Sequence, residues 1–316
     1  MKKKVLKKEP RVAIIVVNYN GFDHSLECVE SLLLLDYPNY SIIFVDNGST
    51  DKSGDAINAH YCDKITYLST SINGGVTKGN NAGIEHALTN NFEYVLFLNN
   101  DTLVYKNFLS TMIRKHEDEG TLVVPKIICH YDTERLDHFI GTQFNWFSAQ
   151  PTNYTPYPLD SPALNVSMDV AVASTCCLLV PLNVIRIIGG MDENYFMYYD
   201  DSDFTIRARR AGFRIIYEPE SIIYHKCNMT TKYKQPSLFE YYLVYRNVFY
   251  FYKKLCKNIV IKTICLAKAS LYLMLAGIKA YVNKDRKKLA VIRLICRDVL
   301  NNKMGAPPDL TKLDCY

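Results

Sequence analysis

The segment YVLFLNND, residues 94–101, sets an apolar run directly against two amides and a carboxylate. Such a run reads as a strand buried on both faces, here 94–98, with the polar residues placed where it ends. The pattern recurs upstream. Residues 12–17, 41–45 and 65–68 are short β-rich runs, and 23–34, 51–60 and 77–89 between them have helical spacing, with Leu26, Val29, Leu32 and Leu33 on one side of the first. This β-α-β-α alternation predicts an α/β fold, a mostly parallel sheet flanked by helices. Ligands in such sheets bind beyond the carboxyl ends of the strands. The polar clusters 18–20, 46–51, 73–81 and 99–101 fall at those ends and together mark a site.

Downstream the pattern changes. Residues 125–168 are rich in Pro and Tyr and read as a loop-heavy segment over the sheet. A buried strand is expected at 169–180 and a helix at 183–188 stopped by Gly189-Gly190. A second helix runs over 200–210, opened by Asp200-Asp201-Ser202-Asp203, and short strands follow at 215–217 and 222–225. From 237 onward the spacing is helical, with basic residues along it. The expected division is 9–236 (halves 9–124 and 125–236) followed by a helical extension, 237–316.

Over the whole chain, 316 residues with 48% hydrophobic and 22% charged describe a packed globular protein and exclude disordered or collagen-like classes. The formal charge of +5 is uneven: residues 253–316 carry +10 and residues 1–8 carry +5, leaving −10 on 9–252. An acidic body points to a site that uses a cation, and the basic tail to an anionic surface. The ten cysteines show no C-x-x-C spacing, which argues against zinc and disulfides and for reduced thiols. At the N-terminus six apolar residues, Val12 to Val17, are too few for a secretory leader, so a cytoplasmic location is expected and the sequons at Asn47, Asn165 and Asn228 carry no meaning.

Individual clusters carry chemistry. Asn99-Asn100-Asp101 offers oxygen ligands to a hard divalent cation, which would neutralise a nucleotide's phosphates. Asp46, in VDNGSTD, can accept a hydrogen bond from a base N–H, while Asp51 can cap the helix that follows. Asn73-Gly74-Gly75 and Lys78 open a glycine-rich helix start suited to a diphosphate. Neither a G-x-G-x-x-G nor a P-loop is present.

Taken together, VVNYN (16–20), VDNGSTD (45–51), NGGVTKGNNAG (73–83), LNND (98–101), GGMDENYFMYYDDSD (189–203), AGFRIIYEP (211–219) and His225 resemble glycosyltransferase family 2, over about residues 11–250. The likeness is nearest to its bacterial rhamnosyl- and galactofuranosyl-transferase branch. It implies a GT-A fold and an inverting displacement at the anomeric carbon of a UDP- or dTDP-sugar. By the same likeness Asp46 binds the base, flanked by Asn18 and Asn20, and Asn100 lies beside the metal aspartate Asp101. His225 completes the shell of a divalent cation, Mn or Mg. Asp201 matches the catalytic base, with Asp200 standing where the family has Glu. Asp192 and Glu193 fall in the loop near the acceptor, and Ser174-Thr175-Cys176 replaces the glycine often found before the buried strand. Asp203 has the spacing to pair with Arg207.

The tail is crowded with aromatics over 239–252. Beyond them, 259–282 is apolar but interrupted by Lys262, Lys268 and Lys279, with a longest uncharged centre of 269–278. That describes a helix lying on an anionic membrane more than one crossing it. The expected activity is sugar transfer to a hydroxyl of a glycan acceptor on a polyprenyl-diphosphate carrier, at the inner face of the membrane. The alternatives are a sugar nucleotidyltransferase and a silent glycan- or nucleotide-binding protein. Nucleic acid is not an expected partner, because the body is acidic.

Overall fold

The alternation expected over the first hundred residues is present in the structure, a computed structural model that describes residues 9–119, 121–137, 141–152, 158–226 and 237–309. The lysines of residues 1–8, the sequon at Asn228, the junction at 236 and residues 310–316 lie outside the described residues. The first half comprises β1 (Val12–Asn18), α1 (Phe22–Leu32), β2 (Tyr40–Asp46), α2 (Ser53–Tyr61), β3 (Ile65–Ser69), α3 (Gly75–Thr89) and β4 (Tyr94–Asn99). Next come β5 (Thr102–Val104), α4 (Phe108–Glu119), β6 (Leu122–Cys129), a small pair β7 (Phe144–Asn145) and β8 (Gln150–Pro151), and β9 (Met168–Asp169). The chain then forms β10 (Cys177–Pro181), α5 (Leu182–Ile188), α6 (Asp200–Arg210) and β11 (Ile215–His225). It ends in α7 (Leu238–Leu255), α8 (Ile259–Val282) and α9 (Arg286–Leu300).

The strand order of the main sheet is β3-β2-β1-β4-β10-β6-β11-β5, with β9 on β11. Most of the paired residues are parallel, in β2 with β3, β1 with β2 and β4, and β6 with β11; β10 and β5 run antiparallel to their neighbours. Alternate side chains of β1 and β4 enter opposite layers. Val12, Ile14, Val16, Leu96 and Leu98 pack with Val29 and Leu32 of α1 and Phe108 of α4. Ala13, Ile15, Val95 and Phe97 pack with Ile84 of α3, Ile185 of α5 and Phe204 of α6. Helices on both faces are what continuous apolar strands require.

Three expectations are corrected downstream. The loop-heavy reading of 125–168 overlooks that β6 is buried along its whole length. Pro125 and Lys126 interrupt its apolar run, but Pro125 faces Glu218 where the ladder with β11 shifts register between Glu218 and Ile222, so its missing N–H breaks no regular pairing. The same irregularity, at Pro219, makes the single strand β11 read as two pieces. The strand expected at 169–180 is instead β9, a buried connection and β10. Val170 to Cys176 are all buried but bond to scattered partners (Val170 N to Ile215 O, Ala171 N to Gly141 O, Asn99 N to Cys176 O), a distinction that apolarity alone does not make.

α7 starts at a capping box, in which Ser237 Oγ accepts from Glu240 N at 3.2 Å and Ser237 N donates to Glu240 Oε2 at 2.8 Å. Its aromatic side chains form a third cluster that includes Phe251, Tyr252 and Val291 but also Ala149, Val172, Tyr195 and Phe196 of the preceding body. The eight cysteines among the described residues are all thiols.

Candidate active site

β2 and β4 flank β1, so the connections out of the sheet diverge on either side of it and leave a crevice at the carboxyl ends. Asn18 ends β1 in register with Asp46 at the end of β2. The fully buried Asn18 amide donates to Asp46 Oδ1 (3.0 Å) and Ser53 Oγ (2.9 Å), while its Oδ1 accepts from Ser25 Oγ (2.9 Å) and Asn100 Nδ2 (3.4 Å). Its side chain thus fixes Asp46 and Asn100 in place. Asp46 also accepts from Ser49 Oγ at 2.5 Å and lies against Gly54, where a Cβ would come within 2.2 Å of the carboxyl carbon. Asn20 is left-handed (φ 53°) and accepts from Thr50 N at 2.8 Å, tying the first loop to the second. Asp51 accepts from the Ser53 amide (2.9 Å) at the start of α2.

The glycine-rich start of α3 is held from β2. Asn47, buried and unmarked by the sequence reading as a site residue, donates to Gly75 O (2.9 Å) and accepts from Gly74 N (3.4 Å), while Asn73 Oδ1 accepts from Gly75 N (2.9 Å). Lys78 folds back over Gly74, its Cδ lying 2.2 Å from where a Cβ would be. Gly75 has φ +82°, and a Cβ there would sit 2.1 Å from the Phe196 carbonyl oxygen. The glycine-rich start of α3 and the loop that carries Asp192 to Asp203 are therefore in backbone contact.

Asp101 and His225 are 124 residues apart in sequence, and strand register joins them. Thr102, next to Asp101, pairs with His225 in the β5–β11 ladder, and Lys226 N donates to Asp101 O at 2.9 Å. His225 Nε2 lies 2.9 Å from Asp101 Oδ1 and Nδ1 lies 2.5 Å from Asp137 Oδ2. Burial pushes the imidazole down, but the Cys176 thiol, Asp101 and Asp137 outweigh it and hold it well above the ordinary histidine range. For Asp101 burial raises the carboxyl and the bond from His225 more than offsets it, leaving it lowered. One carboxylate oxygen and, once a cation displaces the Nε2 proton, one imidazole nitrogen would give Mn or Mg a partial shell. Among the described residues no three His, Cys, Asp or Glu side chains converge as a complete protein cage, so the other ligands of a cation would be donor oxygens and water. Asp137, which the sequence reading does not single out, orients the ring by its second nitrogen, as a ligating histidine requires.

Behind this pair lies the turn 174–176. Cys176 contacts His225, its N–H donates to Ser174 Oγ (3.1 Å), and Ser174 in turn hydrogen-bonds Asp201. Asp200 and Asp201 open α6 in different surroundings. Asp200 is buried, and burial followed by the Asp201 charge pushes its carboxyl well above the usual range. Asp201 is half-buried, and burial raises it to about 6 against the bonds from Ser202 and Ser174 that favour its charged form. Asp203 accepts from Arg207 Nε at 2.5 Å, the spacing-predicted pair, and from Tyr195 OH (3.1 Å).

The loop leading to these carboxylates is strained. Phe196, Tyr198 and Tyr199 all have φ between +65° and +68°, a costly region for bulky side chains. Asn247 of α7 holds it: fully buried, its Nδ2 donates to the carbonyls of Tyr195 (2.9 Å), Met197 (2.8 Å) and Tyr198 (3.1 Å). Buried Arg246 beside it donates to Asn247 Oδ1 (3.0 Å) and Tyr242 OH (3.4 Å), and Tyr242 donates to Asp298 of α9 at 2.6 Å. Asp192 is engaged by α7 through Tyr250 OH (2.8 Å) and Lys254 Nζ (2.6 Å), and Lys254 also reaches Asp203 (2.6 Å). Burial raises the Asp192 carboxyl, but Lys254, the Asn194 amide and Tyr250 together leave it lowered. Glu193 accepts from Asn81 of α3 at 2.9 Å. Asp192 and Glu193 therefore fix the loop through their side chains.

The sheet order, with its crevice at the carboxyl ends of the strands and the helices that follow, is that of a glycosyltransferase of the GT-A fold. The model of glycosyl transferase family 2 matches residues 13–170, half the chain, and the chain belongs to that family. It is 28% identical over 285 residues to an uncharacterised glycosyltransferase of Rickettsia typhi, covering 87% of this chain and 81% of that one. With the low-salt glycan biosynthesis hexosyltransferase Agl10 of Haloferax volcanii it shares 26% identity over 220 residues, 65% of this chain and 63% of that one. The mannosyltransferase PcManGT of Pyrobaculum calidifontis, solved with GDP-Man and Mn2+, superposes with a TM-score of 0.56 at 15% identity, covering 93% of this chain and 88% of that one.

Proposed function

We propose that this glycosyltransferase is an inverting, cation-dependent enzyme that moves a sugar from a UDP- or dTDP-sugar to a glycan hydroxyl on a polyprenyl-diphosphate carrier. The sugar is of the rhamnosyl or galactofuranosyl kind, and the enzyme works at the inner face of the membrane. The observation that carries the reading is the 174–176 turn, which touches Asp201 at one end and His225 at the other, so that a base and a cation-holding pair share one wall.

Asp46 accepts from the N–H of the base, with Asn18, Asn20 and Asn100 holding the rim. Asn73, Lys78 and the amide end of α3 face the diphosphate. Asp101 and His225 would hold the cation, which would supply charge neutralisation to the departing diphosphate. Asp201 removes the proton of the acceptor hydroxyl as its oxygen bonds to the anomeric carbon. The bond from that carbon to the diphosphate oxygen breaks on the opposite face, and its electron pair leaves with the nucleoside diphosphate. Asp200, whose carboxyl burial and the Asp201 charge push upward, shapes the surroundings of Asp201, while Asp192 and Glu193 fix the loop on the acceptor side. Residues 9–236 contain these groups, and 237–316 meet the membrane.

The test is thermal-shift binding of UDP, dTDP, GDP and CDP, with and without Mn, to the wild type and Asp101→Asn. A Mn-dependent shift with UDP or dTDP that Asp101→Asn loses is expected; no shift with any nucleotide would sink the reading.

A further inference from the structure

One face of α8 is packed: Cys265, Leu273 and Ala280 are buried, Tyr272 stacks on Tyr245 with centroids 4.8 Å apart, and Lys268 Nζ donates to Phe147 O at 3.2 Å. The opposite face is apolar and bare. Val260, Ile264, Leu271, Leu275, Ile278 and Val282 are 47% to 69% exposed, and their spacing places them on one line along the helix. At 1.5 Å per residue the stripe is about 33 Å long. Single exposed apolar residues need no explanation, whereas a continuous stripe of this length does. Lys268 and Lys279 border it. At its far end a groove of about 1290 Å³ between α8 and α9 is lined by four cations, Lys284, Arg286, Arg293 and Arg297, against one carboxylate, Asp309.

We propose that α8 lies in the plane of an anionic bilayer, its bare stripe embedded among the acyl chains, with the groove holding the phosphate of a lipid headgroup. This rests on the membrane reading above and names the face and the headgroup chemistry. With a mean hydropathy of 1.8 over its best window, α8 is long and apolar enough to cross a membrane. Crossing, however, would strip its packed face from α7 and α9 and carry Lys262, Lys268 and Lys279 into hydrocarbon. A second copy on the same stripe would set each row of lysines near its own symmetry mate. An anionic interface takes both the stripe and its cations.

The test is sedimentation of the full chain with phosphatidylcholine vesicles and with vesicles also containing phosphatidylglycerol, alongside its nucleotide thermal shift. The wild type should prefer the anionic vesicles. Leu271→Asp/Leu275→Asp should weaken binding to both kinds roughly tenfold or more, and Arg286→Glu/Arg293→Glu should abolish the preference for phosphatidylglycerol, each with the nucleotide shift unchanged. If the wild type binds but both variants bind equally well, the inference falls and the membrane reading stands. If the wild type binds no vesicle, or its stripe instead mediates a dimer that Leu271→Asp/Leu275→Asp dissociates, both fall. Retention in membranes after alkaline carbonate extraction would mean a spanning helix and would overturn the in-plane arrangement.

Discussion

Asp200 and Asp201 are adjacent in sequence but differ in their access to water, and that difference assigns them separate behaviour. With Asp201 raised to about 6, kcat/KM should rise with pH up to about 6 and then level, as expected for a base that must be ionised. Asp201→Asn should lower turnover by about 10³-fold while nucleotide binding persists, as initial rates and thermal shifts would show. The same group has a stability consequence of fixed sign. Its folded-state value lies above the ordinary 3.8, so the folded chain holds the proton more tightly than the unfolded chain. Its contribution to stability therefore falls as pH rises from about 4 to about 6 and stays down above that. Asp201→Asn should melt higher than the wild type at neutral pH, and the gap should close toward about pH 4. Asn247 makes a different case. Asn247→Ala takes this donor from the part-buried Met197 and Tyr198 carbonyls and leaves the buried Tyr195 carbonyl only the 3.5 Å bond from Arg246, which should cost about 2–4 kcal/mol in urea unfolding and lower kcat more than it changes the donor KM. Asp101 and Asp201 can be singled out in the sequence because each sits in a recognisable run, and His225 because it follows the last of those runs. Asp137 and Asn247 are not, because their partners lie 88 and about 50 residues away and depend on how β6, β11 and α7 pack.

At the scale of elements, the contact between the start of α3 and the loop before α6 is made possible by one missing side chain. Gly75→Ala would place a Cβ against the Phe196 carbonyl at a positive φ, so both loops must shift. The expected result is a loss of about 2–4 kcal/mol in stability together with a smaller UDP-induced thermal shift, both readable in one melting series. The first four strands and three helices stand within two residues of where the apolar periodicity puts them, because each is bounded by its own turn residues. β6 and β11 were obscured by Pro125 and Pro219, which face each other's strands at one irregularity of the ladder; neither proline can be understood without the other. The connection 170–176 shows the complementary failure, since it is as apolar and buried as a strand while its backbone bonds go elsewhere.

For the whole molecule, the acidic body and basic tail are legible in the charge count alone, but the shared core between them is not. Tyr195, Phe196 and Ile206 pack in one cluster with Phe251, Tyr252 and Ile295, so a chain ending at 236 would expose both sides of it. Such a chain should be recovered mainly in the insoluble fraction and bind a hydrophobic dye where soluble, and a soluble, dye-silent product would refute this. Asp298, Tyr242, Arg246, Asn247 and the carbonyls just before Asp200 form a line of hydrogen bonds from α9 to the loop that opens α6. There is little slack along that line. Whatever surface α8 and α9 rest on, the proposed base, Asp201, is held at a fixed height above it, like the needle of a machine above its bed. A series of acceptors that differ only in the number of sugars between the carrier and the reacting hydroxyl should then show one preferred length, with shorter and longer glycans passing beneath or beyond the reach of the enzyme.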